Sequence, residues 1–439
     1  MGHGSTLDFA RRRPFILSGV EGSAPRLGGS RPSTSLGVTG DECRVGCALL
    51  LLFATVASAQ GKVSPAPLLK DARQHHTATL LRDGRVLVVG GRGADGLSTL
   101  ASCELFDPRK NKWAACAALT AARSHHAATA LDDGRVLVTG GTTNETVRSD
   151  GDAGSTGQNR FVALASVEVY DPKKNAWLTV APMTDARNGH TATLLLDGTV
   201  LVVGGAREQR LHLTSVERFD PKANTWKVEK PLDVARWLHA AVRTSDGDVV
   251  VVGGRSNAGQ QGKGPGVSIA DVERFDVKTG AWQSLPPMSE PRQRTAVVAE
   301  ATGGGLIVIG GQTATSSTNY AETWSPGLTE WKPFENHLSM SLSSHSGTRL
   351  PNGDLVVIGG EPPNAVDTTR VQRWLSASKQ WCLAGELING RKQHTATLLP
   401  DGRVLVVGGT SSGLPERSSE LWAPSAGKCE DPPGVSMGW

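Results

Sequence analysis

An all-β chain folded as a closed ring of seven four-stranded antiparallel blades is what the sequence predicts, on three observations. The octet GRVLVVGG stands at 84–91 and again, letter for letter, at 402–409. Five degraded copies lie between, ending in Gly-Gly at Gly141, Gly205, Gly254, Gly311 and Gly360, so that successive doublets are 50, 64, 49, 57, 49 and 49 residues apart. Self-similarity at a fixed period of this size means stacked supersecondary units, none of which buries its apolar faces alone. Third, every unit repeats one internal order of strand and turn signals. Composition agrees: 38% hydrophobic, 20% charged and 52 glycines describe a globular, turn-rich chain.

The unit starting at Arg187 shows the order best. HTATLL and VLVVGG alternate or run apolar and are joined at Asp-Gly; SVERFD and TWKVEK follow, joined by a turn of Asp, Pro and Asn. These are hairpin signals, and four short antiparallel strands per period make one propeller blade. Units begin near 73, 123, 187, 236, 292, 342 and 391. The doublet marks backbone without Cβ where neighbours approach closely or φ is positive. It is no phosphate loop, which needs a helix next.

The Gly-Gly doublet, the Glu and aromatic of VERFD or CELFD, and the Trp six residues after the Asp together resemble the kelch-repeat family, as in exported bacterial proteins and the propeller of galactose oxidase. The resemblance runs from residue 73 to about 430. It implies a seven-bladed kelch β-propeller. It leaves function open, because the family includes oxidases, an isomerase, scaffolds and adhesion modules.

Ahead of the repeats, CALLLLFATVASA at 47–59 is too short to span a bilayer and ends in Ala57-Ser58-Ala59, which reads as a secretory signal cleaved before Gln60. Residues 1–59 are therefore assigned as leader and signal, and 60–439 as the propeller, secreted or held in the periplasm or at the cell surface. Cys103, Cys116, Cys382 and Cys429 then remain in an oxidising compartment. The hairpin that sets Phe106 opposite Trp113 also sets Cys103 opposite Cys116 and predicts a cross-strand disulfide. A Cys382–Cys429 pair stays open. Val63 stands ten residues before Arg73, as Trp177 does before Arg187, so KVSPAPLL competes with the tail GKCEDPPG for the outer strand of the seventh blade. The reading favours the tail.

Side chains filling one slot in most units are structural, since a ring has seven blades but one axis. His76, His126, His190, His239, His345 and His394 share a slot broken only at Thr295, which argues packing rather than metal binding. Phe106, Tyr170, Phe219, Phe275, Trp324, Trp374 and Trp422 fill a second slot, and Trp113, Trp177, Trp226, Trp282, Trp331 and Trp381 fill a third, which Cys429 takes in the last unit. Arg73, Arg123, Arg187, Arg236, Arg292 and Arg391 form a ladder broken at Leu342; Glu104, Glu168, Glu217, Glu273, Glu322 and Glu420 form another, broken at Gln372. Both gaps fall in the sixth unit, so the two ladders are expected to pair within a blade.

The connections after Gly-Gly vary, up to the long segments 142–165 and 255–271, and variable loops on a rigid scaffold concentrate binding residues. Phe161, Trp237 and Tyr320 as stacking groups, with Arg92, Arg207 and Arg255 as anion or hydroxyl donors, are the candidate site on that face. Glu145, Asp150 and Asp152 give a weak hint of calcium without full EF-hand spacing; no other cofactor is expected. A net charge of +4 with no basic run excludes nucleic acid as the expected partner. Resemblance to galactose oxidase would imply a copper-radical centre with two tyrosines, one crosslinked to cysteine, and axial histidines. Only Tyr170 and Tyr320 exist, Tyr170 in a structural slot, and sialidase boxes, GxSxG and HExxH are absent. The expected function is a non-catalytic binding module for a protein or surface glycan; the alternative is a sugar isomerase or lyase using Arg and His at the axis.

Overall fold

The structure, a computed structural model, describes residues 61–147, 158–207, 211–257, 266–363 and 366–425. Residues 1–60 and the tail with Cys429 fall outside them. Every regular element among the described residues is a strand. Seven four-stranded antiparallel sheets follow one another along the chain. In the first blade the strands are Thr77–Leu80, Val86–Val89, Cys103–Asp107 and Lys112–Ala115, paired in sequence order from the inner strand outward.

The seventh blade corrects the sequence reading. Its inner strands Thr395–Leu398, Val404–Val407 and Ser419–Ala423 are completed by Lys62–Ala66 from the other end of the domain, in the register Val63↔Trp422. Val63 thus takes the place that Trp113 takes opposite Phe106. The N-terminal strand closes the ring. Pro65 stands in that strand because an outermost strand leaves one side of its backbone unpaired.

Strand alternation puts the core between the blades. In Val86–Val89 all four side chains are buried; Val86 and Val88 join Leu405, Val407 and Leu421 of the seventh blade, while Leu87 and Val89 join Val136 and Val138 of the second. The outer tryptophans tie each blade to the one before: indole N–H groups of Trp113, Trp177, Trp226, Trp282 and Trp331 donate to the carbonyls of Pro67, Ala117, Ala181, Lys230 and Pro286 at 2.7–2.9 Å. Cys103 and Cys116 form the expected disulfide with Cα atoms 5.4 Å apart. Cys382 is disulfide-bonded as well.

The two ladders pair as expected. Arg73 donates to Glu104 at 2.8 Å, Arg123 to Glu168, Arg187 to Glu217 and Arg292 to Glu322 at 2.7 Å, and Arg236 to Glu273 at 2.5 Å; Arg391 pairs with Glu420. Each arginine also donates to the carbonyl of its own doublet's first glycine, as Arg73 does to Gly90 at 2.8 Å. Each glutamate in turn accepts from the backbone entering the blade, as Glu104 does from Lys70 at 2.9 Å. Burial lowers the arginine pKa values and the facing carboxylate pushes them back up. In the sixth blade Leu342 is fully buried, and Gln372 accepts from the Ser339 N–H and hydroxyl at 2.8 Å.

Gly90 and Gly91 have φ of 60° and 104°; a Cβ would lie 2.5 Å from the Arg123 carbonyl of the next blade and 2.7 Å from that of Gln74. The recurring histidines link neighbouring blades: His126 Nε2 meets the Thr77 hydroxyl at 2.9 Å, His190 that of Thr139 on the second strand of its neighbour at 2.8 Å, and His76 that of Thr395 at 3.0 Å across the closure. Burial, then the neighbouring arginines, push His126 and His239 down to about 3.

Two predictions follow from these ladders. Arg187→Ala should destabilise by about 3–5 kcal/mol because it strands a buried carboxylate. Arg187→Leu with Glu217→Gln, the pair the sixth blade already carries, should cost less than the sum of its singles, and additive denaturant midpoints would refute the pairing. The histidines are protonated in the unfolded chain below about pH 6.5 but stay neutral when folded, so their stabilisation is full above that pH and fades as pH falls toward 3. Each should cost roughly 1 kcal/mol per pH unit below 6.5. His239→Gln should therefore lower the pH slope of unfolding free energy by about one proton.

Candidate functional site

Immediately before the histidine slot, each unit places one residue in left-handed backbone: His75, His125, Gly189, Leu238, Arg294, Ser344 and Gln393, with φ from 52° to 57°. Non-glycine residues rarely adopt this conformation, and a single left-handed residue here turns the chain from the inter-blade connection into the inner strand. The turn brings the seven residues around the axis as a belt. The N–H of His125 donates to the carbonyl of His75 at 3.1 Å, Gly189 to His125 at 2.9 Å, and so on through Leu238, Arg294 and Ser344 to Gln393, which donates to Ser344 at 3.0 Å.

Outside the belt stands a crown of short bridges, one per blade: Gln74↔Arg92, Ser124↔Thr142, Asn188↔Ala206, Trp237↔Arg255, Gln293↔Gln312, Ser343↔Glu361 and Lys392↔Thr410. Belt and crown differ in every blade. His75 and His125 stack with ring centres 3.8 Å apart and planes 25° from parallel. Burial lowers both; the neighbouring ring and then Arg92 and Arg294 add to the effect at His75, and the two arginines push His125 down to about 3. Arg294 is itself lowered by burial, with Glu361 opposing and Arg255 reinforcing. Lys392 holds Glu361 at 2.5 Å and Asp367 at 3.5 Å.

The six residues singled out in the sequence separate into three groups. Arg92 and Phe161 come together, the guanidinium 4.2 Å above the ring, because 142–165 is largely a hairpin, Thr142–Val147 against Gln158–Ala163, rather than an open loop. Trp237 and Arg255 come together as a crown bridge; the indole donates to Asn188 at 3.1 Å and lies so close over Gly189 that a Cβ there would clash. Tyr320 and Arg207 join neither pair. Tyr320 lies beside Arg292 and 4.9 Å from the ring of His337, in the slot where Ser102 and Ser215 accept from the ladder arginines, and Arg207 pairs with Asp185. Asp150 and Asp152 of the calcium hint lie outside the described residues. His75, His125 and Arg294 were missed, although their slot reads His, His, Gly, Leu, Arg, Ser, Gln: a varying position beside one that is histidine in every unit but the fifth.

The KLHDC2/KLHL20/DRC7 Kelch-repeats domain model matches residues 50–254 and 189–409. Human Kelch-like protein 34 is 30% identical over 179 residues, 40% of this chain and 25% of that protein, so the match spans about a quarter of the relative's length. Among solved structures, a fungal alcohol oxidase of the AA5 family, in complex with copper, superposes with a TM-score of 0.64 at 18% identity over 83% of this chain and 76% of its own. YjhT does so at 0.53 and 17%, over 73% and 99%. These likenesses show the fold. The donors here do not fit the copper centre of such an oxidase: among the described residues no three His, Cys, Asp or Glu side chains gather, and the Tyr170 hydroxyl is committed to Asn175 at 2.8 Å.

The belt generates a stability prediction. His125→Val, a β-branched residue at φ 53°, should cost about 1–2 kcal/mol more than His125→Asn, which tolerates left-handed backbone. Equal melting temperatures for the two variants would count against the belt conformation.

Proposed function

The chain belongs to the kelch-repeat family, and from that premise we propose that it is an exported, non-catalytic binding module that takes a protein or surface-glycan partner on the face bearing belt and crown. One observation carries the reading. Most of the recurring slots are engaged internally: arginine with glutamate and glycine carbonyl, histidine Nε2 with a neighbouring hydroxyl in all but one of the blades that carry it, and Trp113, Trp177, Trp226, Trp282 and Trp331 with the preceding blade. The belt and crown, by contrast, change side chains around the ring, histidine at 75 and 125 being the one belt residue type that repeats. That is how a rigid scaffold individualises a binding surface.

A second reading, a sugar isomerase or lyase, draws on the stacked His75–His125 pair beside Arg92 and Arg294 at the axis. Against it, a general base works best with a pKa near the operating pH, and His125 at about 3 accepts protons poorly at neutrality.

The test is the melting temperature of the folded protein against neutral oligosaccharides, acidic sugars and candidate protein partners, with NMR of each ligand after incubation. A saturable rise that Trp237→Ala weakens, with the ligand recovered unchanged, is expected. Conversion of a sugar at a rate that tracks enzyme concentration would overturn the non-catalytic reading, and binding unaffected by crown substitutions would overturn the choice of face.

A further inference from the structure

Where the seventh blade meets the first, the outer rim of the ring holds a cavity of about 580 Å³. That lies within the roughly 300–1,000 Å³ of small-molecule sites. Four slots of the repeat are filled differently here. Ala115 stands opposite Glu104, where Thr179, Val228 and Ser284 stand opposite the ladder glutamates of the next three blades. Lys70, whose backbone N–H reaches Glu104, holds the position of Thr120, Thr184, Asp233 and Ser289. The carbonyl of Arg417 accepts from the Leu69 N–H, as those of Ala101, Ala165, Thr214 and Ala270 accept from the connections they meet. Leu68, 62% exposed, precedes Leu69 where Pro182, Pro231 and Pro287 precede Met183, Leu232 and Met288. One change removes bulk, and the others add an exposed apolar side chain and two cations, all lining the cavity.

Those cations have no ion-pair partner among the described residues. Arg417 Nε donates to the Leu69 carbonyl at 2.9 Å, which fixes the guanidinium beside the backbone of Lys70. The two acids of the lining face Arg73 instead, Glu104 at 2.8 Å and Asp71 at 3.8 Å. Most of the remaining wall is apolar, with Trp113, Ala114, Ala118 and buried Leu69. The Trp113 N–H is committed to Pro67 at 2.9 Å and the Ser102 hydroxyl accepts from Arg73, so the lining offers little to a hydroxylated ring.

We propose that this rim cavity is a ligand site for a free medium-chain fatty acid, its alkyl chain against Leu68, Trp113 and Ala115 and its carboxylate at Lys70 and Arg417. No belt or crown residue lines the cavity, so the inference stands apart from the binding reading above. Charge complementarity selects the anion, and the apolar wall selects the chain. Leu68 is the one exposed large hydrophobic side chain in the lining among the described residues, too little to seat a bilayer, and this favours the free acid over a membrane lipid. Each methylene that enters tightens binding about threefold to fourfold, up to the length that fills the cavity.

The probe is decanoate below its micellar range, titrated calorimetrically into the purified full chain, with hexanoate, octanoate, decanol and decyltrimethylammonium alongside. One saturable site is expected, with affinity rising from hexanoate to decanoate and the cationic amphiphile binding far more weakly. The variants borrow residues that other blades already carry in the same slots. Lys70→Thr and Arg417→Ala should each weaken decanoate by about twofold to fivefold and leave decanol unchanged. Ala115→Val should weaken both, and Trp237→Ala neither. Decyltrimethylammonium binding as tightly as decanoate, uptake that never saturates, indifference to Ala115→Val, or no decanoate binding by a folded protein would each overturn the proposal. Flotation with vesicles of anionic phospholipid in the absence of decanoate binding would overturn it in favour of a membrane surface.

Discussion

The structure depends on one buried clamp: an arginine that reaches from the entry of each blade to a glutamate on the third strand and, with its other nitrogen, to the carbonyl of the Gly-Gly doublet. A desolvated ion pair repays its cost only when geometry is good and remaining donors and acceptors are filled. Most are filled here: the carboxylate also accepts backbone N–H groups from the connecting segment and the guanidinium donates to two carbonyls, while Arg73 Nε stays without a partner. The clamp therefore stitches the connecting segment to the second and third strands, which the sheet ladder already joins to each other. Its absence from the sixth blade, where a leucine and a glutamine stand together, shows that the fold tolerates exchange of the pair as a unit.

From the clamp follow the doublet and the histidine. A glycine whose carbonyl is held by an arginine behind it and whose Cα faces the next blade's Arg carbonyl and His ring has no room for a side chain. The histidine can then reach the neighbouring inner strand and bond its threonine, which spaces the blades at the axis. The residue before that histidine stands in left-handed backbone in all seven units. The belt is thus the geometric remainder of seven structural decisions, and its side chains are free of structural duty because its backbone does the joining.

Much of this was legible. Coincident gaps at Leu342 and Gln372 disclosed the ion pair, and the shared hairpin register of Phe106–Trp113 disclosed the Cys103–Cys116 bond. Ring closure was misread for a physical reason: Pro65 and Pro67 argue against a strand in general, yet an outermost strand tolerates proline, and Trp422 offered a partner that only the register reveals. The site was half legible. Deviation from the repeat found Trp237 and Arg92, but it also selected Tyr320 and Arg207, which other side chains occupy. It passed over His75 and His125, since a histidine beside a structural histidine looks like more of the same until φ shows that successive residues point to different places.

Symmetry sharpens the functional argument. A ring of equal blades generates seven equal environments at its axis, and any ligand smaller than the ring must break that equivalence with side chains. In this chain the break is uneven: cations and the histidine stack gather around Arg92, Arg255 and Arg294, whereas Glu361 and Asp367 are drawn together by Lys392. Neutralising the acidic groups with a lysine, rather than with the nearby arginines, leaves the arginines available. A structural role for Arg92 and Arg294 would have favoured the opposite pairing, because burying an unpaired guanidinium costs more than burying an ion pair. The proposed binding reading draws on this unevenness, because side chains that differ around one axis are what a partner smaller than the ring would meet.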